Sequence, residues 1–178
     1  MKKIFKPMSA LLTLLALTFA FTLTSCGDDD KDEPAPAPGA THPARIGIAY
    51  ALDLTDAYWD FFDIEVTYTE VSGNIVKKIV NKGWTYAADI KYEDAPATPE
   101  LSVKALPKTN IPEISETKTY EMKHSYKFYI YALNENNKEE KVICSMHPTQ
   151  VGSTLVASQM INYVKKEHSI GSFSWPLK

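Results

Sequence analysis

Alternation of apolar and polar residues with a period of two runs through most of this chain, and it leaves few options other than antiparallel sheet. Phe62, Ile64, Val66 and Tyr68 alternate with Asp63, Glu65, Thr67 and Thr69, the pattern of a strand with one buried and one wet face. Val71-Ser72-Gly73-Asn74 reads as a turn, and Ile75 to Val80 as the returning strand of a hairpin. Trp84, Tyr86, Ala88, Ile90 and Tyr92 alternate with Thr85, Asp89, Lys91 and Glu93 as a third strand, and Leu101, Val103 and Ala105 suggest a fourth. Tyr120, Met122, His124, Tyr126, Phe128 and Ile130 mark the longest alternating face, with Glu121, Lys123 and Lys127 opposite. Asn134 to Lys138 is a turn, and Lys141 to Met146 the partner strand. Ile46 to Leu52 and a segment around Phe173 and Trp175, ending at Pro176, complete the set.

At least seven short strands separated by turns predict a mainly β fold. The expected architecture is an antiparallel β-sandwich, immunoglobulin-like or related, over residues 45–178. Two segments depart from the alternation. Asp53-Leu54-Thr55-Asp56 reads as the start of a brief helical turn reaching Asp60. Leu155, Val156, Met160, Tyr163 and Val164 fall at helical spacing between Gly152-Ser153 and Lys165-Lys166, so residues 153–167 read as one short helix near the C-terminus. A further strand is the competing reading there, although its alternation is poor.

The first 44 residues read as an address rather than as fold. Lys2, Lys3 and Lys6 precede an apolar run from Ala10 to Leu23, too short for the ~20 residues of a spanning helix. This is the layout of a secretory signal. It ends at Leu23-Thr24-Ser25-Cys26, which resembles a lipobox: an apolar residue, two small ones, then the cysteine that accepts the lipid. The resemblance implies a signal peptide over 1–25 and a mature chain that begins at a lipid-bearing Cys26. Two or three acyl chains hold a protein stably, because each buried methylene contributes about 0.8 kcal/mol. Asp28, Asp29, Asp30, Asp32 and Glu33 follow at once, and this acidic cluster resembles the surface-export signal of lipoproteins from the Bacteroidota. Pro34-Ala35-Pro36-Ala37-Pro38-Gly39-Ala40 then reads as a semi-rigid extended spacer, so residues 26–44 form a tether. With Asp63 to Tyr68, the Gly73 turn and Trp84, the chain resembles small uncharacterised sandwich lipoproteins of gut Bacteroidota. That likeness implies display at the outer membrane, facing the cell exterior, and brings no catalytic residue.

Charge narrows the partners. Removing Lys2, Lys3 and Lys6 takes the formal net charge from −3 to −6, and much of that sits in the acidic cluster. The globular part is near neutral, mixed in sign, and carries Arg45 as its single arginine, which disfavours a nucleic-acid surface. Of the two cysteines, lipidation withdraws Cys26 from any disulfide, leaving Cys144 as a small buried hydrophobe.

Catalytic patterns are sparse. His42, His124, His147 and His168 show no metal-ligand spacing, and there is no Cys-x-x-Cys, nucleophile elbow or phosphate-binding glycine loop. Asp53, Asp56, Asp60 and Asp63 crowd one segment, but without the spacing or central glycine of a calcium loop. The aromatic side chains are the remaining signal. Tyr129 and Tyr131 point to the face opposite Phe128 and Ile130, and with Trp84 they are the candidate binding residues. The expectation is a non-catalytic, lipid-anchored surface binding or adhesion module with no cofactor, taking a glycan or a protein. Two alternatives remain open: a haem- or metal-capturing lipoprotein using His124 with His147 or a methionine, and a hydrolase with dispersed carboxylates. Cys26→Ala should shift the protein from the membrane pellet to the soluble fraction; a variant that still sediments with membranes would overturn the anchor.

Overall fold

The computed structural model describes residues 42–134 and 136–178. The segment read as a signal, the lipobox-like tetrapeptide ending at Cys26, and the acidic cluster lie outside the described residues. The rest is mainly β, as the alternation requires: nine strands in two antiparallel sheets, with two short helices.

Strand β1 (Arg45–Leu54) leads into helix α1 (Asp56–Phe61), followed by β2 (Phe62–Thr69), β3 (Ile75–Val80) and β4 (Thr85–Lys91). Then come β5 (Glu100–Pro107), the long β6 (Thr119–Leu133), β7 (Glu139–Met146), β8 (Val151–Val156), helix α2 (Ala157–Tyr163) and β9 (His168–Ser174). One sheet runs β4-β1-β6-β7, with β8 also paired to β6; the other runs β3-β2-β5-β9. The first strand thus pairs with the fourth and sixth rather than with the second, so the sandwich is of the related kind and not in immunoglobulin order.

The inward residues are those that the alternation marks. Ile46, Ile48, Tyr50, Phe128 and Ile130 of one sheet are buried, as are Ile64, Val66, Tyr68, Leu101 and Val103 of the other. Phe128 spans the gap: its ring lies 5.4 Å from that of Tyr50 beside it and 4.6 Å from that of Phe173 in the opposite sheet. Tyr50, fully buried, donates its hydroxyl hydrogen to the Thr69 carbonyl at 3.0 Å and so joins the two sheets without an orphaned polar group. On β9, Gly171 makes room for Tyr126, whose ring occupies the space that any β-carbon there would need.

The turns follow their residues. Glu70 N–H donates to Asn74 O at 2.8 Å to close the β2–β3 hairpin, and Asn134 N–H donates to Lys138 O at 2.9 Å between β6 and β7. Thr55 precedes α1 in the N-cap position, but its hydroxyl does not cap the helix. It is turned to β6 instead, where Lys123 N–H donates to it at 3.1 Å.

The expected short helix near the C-terminus is present with narrower bounds, and the competing strand reading holds for the segment before it. Residues 153–167 are not a single helix: Val151–Val156 is strand, and the helix spans Ala157–Tyr163. Gly152 to Val156 pair with Lys123 to Thr119, so the long β6 needs a partner along its first half and draws these residues into the sheet. Apart from the half-buried Leu155, β8 is exposed, so it shows no alternation, and only Met160 and Val164 of the apolar set become buried.

Replacing Phe128 by Ala should lower stability by about 3–5 kcal/mol, since the ring fills the space between the sheets. Ile79→Ala, at a residue 52% exposed on edge strand β3, should change it by about 0.5 kcal/mol or less. Urea unfolding of the two variants, compared at constant m-value, checks the contrast.

Candidate functional site

Register decides which side chains share the outer face of the five-stranded sheet. Asp89 on β4, Gly47 on β1, Tyr131 on β6 and Val142 on β7 form one row across it. Ala87, Ala49, Tyr129 and Ser145 form the next, and Thr85, Ala51 and Lys127 a third. The face is therefore asymmetric. Over β1 and β4 it is floored by small side chains; over β6 it rises as two tyrosines and a lysine.

The tyrosines are held in place. Their ring centroids lie 5.2 Å apart with the planes inclined at 34°. Tyr131 leans across β1, and its ring tip occupies the space where a β-carbon on Gly47 would stand. Glycine at this position is what lets the ring lie down on the sheet. Tyr129 donates its hydroxyl hydrogen to the Glu139 carboxylate, and the Lys127 ammonium sits 4.4 Å from its ring centroid, a cation–π contact. Arg45 and Asp89 form an ion pair at the neighbouring corner. Desolvation, then the bond to Glu139, raises the Tyr129 phenol above its ordinary range; burial, then the charges of Glu139 and Asp89, does the same for Tyr131. Both stay neutral hydrogen-bonding groups at any physiological pH.

Tyr129 and Tyr131 thus meet on one outward face, and Trp84 is not with them. Trp84 immediately precedes β4, and its ring packs at 5.3 Å against that of Tyr68, whose ring in turn lies 4.9 Å from that of Tyr86. It closes the margin of the core. Asp89, Glu139 and the small floor of Gly47, Ala49 and Ala51 were not singled out from sequence. The floor had a signal: within Arg45–Leu54, large apolar residues alternate with small ones rather than with charged ones. The carboxylates had none, because only the strand register brings them to the tyrosines.

The histidines are dispersed. His124 lies inside the sandwich margin, with Nδ1 3.1 Å from the Tyr58 hydroxyl, which is itself 3.2 Å from that of Tyr163. The backbone of Ile170 also lies close to the His124 ring. His168 stacks on Tyr163 at 3.7 Å and donates from Nε2 to the Tyr163 carbonyl at 2.8 Å. His42 stacks on Tyr92 at 4.5 Å, and His147 is exposed after β7 near Lys127. Asp53, Asp56, Asp60 and Asp63 are all exposed, and Asp56 pairs with Lys82 at 2.5 Å. Among the described residues, no three His, Cys, Asp or Glu side chains converge as a metal site. Cys144 is buried against the core, and burial pushes its thiol up, away from the reactive thiolate.

Burial lowers the pKa of His124 below the ordinary 6.5, opposed by the nearby backbone of Ile170. The folded chain therefore binds fewer protons here than the unfolded chain. Stability from this group is fully present above about pH 6.5 and is lost as pH falls through the lower folded value. Thermal melts from pH 8 down to pH 5 should show that loss. His124→Gln keeps an acceptor for Tyr58 but does not titrate, and should flatten it; an unchanged slope would show that His124 is not its source.

No protein-family model, curated protein or solved structure matches this chain.

Proposed function

We propose that the chain is an exported lipoprotein of the outer membrane, tethered through Cys26 and facing the cell exterior, whose sandwich serves as a non-catalytic binding or adhesion module. The observation that carries this reading is the tetrapeptide Leu23-Thr24-Ser25-Cys26 at the end of a short apolar run preceded by three lysines. The acidic cluster from Asp28 to Glu33 supports outward display, and the Pro/Ala spacer supports a domain held off the membrane surface. Among the described residues no helix is long and apolar enough to cross a membrane. The ligand class at this level is a glycan or a protein, and the face carrying Tyr129 and Tyr131 is where it would dock.

The alternatives find less support. His124 is engaged by the Tyr58 hydroxyl at the sandwich margin, so presenting it to haem or a metal through Nδ1 would break that contact. The carboxylates nearest the tyrosine face are themselves bonded, Glu139 to Tyr129 and Asp89 to Arg45, which works against a free acid–base pair there.

Protease added to intact cells should remove the domain. Replacing Asp28, Asp29 and Asp30 together by Ala should leave the protein membrane-bound but protected from digestion. Equal digestion of both forms would show that the acidic cluster does not direct export, and protection of both would show that the protein does not face outward.

A further inference from the structure

The outward face of the five-stranded sheet carries an inference about ligand class, one that rests on the reading of the chain as a binding module. We propose that this face is a saccharide-binding surface for a neutral glycan chain, which lies along the small-residue floor of β1 and β4 against Tyr129 and Tyr131.

Three features converge on that chemistry. The first is the paired rings. The C–H face of a pyranose packs on an aromatic π-face, and two tilted rings 5.2 Å apart offer a contact surface longer than one side chain gives. Both rings are pre-positioned, Tyr131 by lying over Gly47 and Tyr129 by its bond to Glu139, so binding need order little. The second is the floor. Ala49, Ala51 and Ala87 rise little above the sheet, and β4 is an edge strand, so the trough beside the rings is open at its side to an extended polymer. The third is the polar rim. Glu139 and Asp89 supply acceptors, Lys127 and Arg45 donors, and sugar hydroxyls use both. Arg45 is paired with Asp89 and Lys91 with Glu93, and Lys127 and Glu139 are opposite in sign, so the rim charges balance and leave no strong field for an anionic polymer.

A protein partner fits the face less well. Its floor of Gly and Ala offers little apolar area to bury, Val142 is a single exposed aliphatic at its β7 side, and the two most exposed, Ile75 at 66% and Ile79 at 52%, lie on β3 of the opposite sheet.

Affinity electrophoresis of the full chain in detergent tests the proposal, with hydroxyethylcellulose, galactomannan or soluble starch cast in the gel and alginate as the anionic comparison. At least one neutral polysaccharide should retard the protein, raised salt should leave the retardation intact, and alginate should not retard it. Tyr129→Ala should weaken binding about tenfold, and Tyr129→Phe, which keeps the ring but loses its bond to Glu139, less. Ala87→Gln fills the floor at an exposed position on β4, separated by β1 from the strand that bears the rings, and should also weaken binding; it stands in if Tyr129→Ala or Tyr131→Ala fails to fold. Ile79→Ser on the far sheet should have no effect. No retardation by any neutral polysaccharide, or salt-sensitive retardation by alginate alone, overturns the saccharide assignment. The tethered-module reading is decided separately, by fractionation and by protease treatment of intact cells. Retardation that Tyr129→Ala and Ala87→Gln both leave unchanged overturns the assignment to this face.

Discussion

The backbone of β6 has to be satisfied along both edges, and most of the architecture follows from that demand. Thr119–Leu133 is a strand of 15 residues, well beyond the usual five or six. Its buried stretches cannot leave N–H and C=O groups unpaired. One edge is met by β1, from His124 to Leu133; the other is met in tandem, by β8 along Thr119 to His124 and by β7 from Phe128 to Leu133. This tandem pairing places β8 where it is, starts α2 at Ala157, and returns the chain to β9 in the opposite sheet. It also carries Phe128 and Ile130 into the core and Tyr129 and Tyr131 out of it.

Stability and the outer face are coupled through that strand. Burying Phe128 and Ile130 aligns the sheet so that a one-residue slip would exchange the inward and outward sets. The tyrosine pair is therefore held in register by the core beneath it. Gly47 completes the arrangement from the neighbouring strand, since any side chain there would collide with Tyr131. A surface built this way is rigid. Its rings are fixed by packing and a hydrogen bond, so the proposed ligand would meet a preformed face rather than one that folds on binding.

Some of this was legible in the residues. Alternation in Phe62–Thr69 and Tyr120–Ile130 marked both the strands and their buried faces, because side chains on a strand must point in turn to opposite sides. The same parity placed Tyr129 and Tyr131 outward. The helical spacing from Leu155 to Val164 misled in its first half, since an exposed strand has no buried face to imprint a pattern, and the long-range pairing of Gly152 to Val156 with β6 outweighed the local signal. Trp84 misled in another way. Its strand parity was sound, but its ring closes the core margin against Tyr68 instead of joining the other two rings.

What belongs to the sequence alone is the pattern behind the proposed address and the two-faced strands: Cys26 after its short apolar run, the acidic cluster behind it, and a period-two pattern that only sheets can bury. These are local properties, encoded in neighbouring residues and in the partition of apolar groups from water. What tertiary structure alone decided is the company each side chain keeps. Asp89, Gly47 and Tyr131 are far apart in the chain and adjacent across three strands. Strand order and register are set by the summed packing of the whole core, and no local pattern carries that sum.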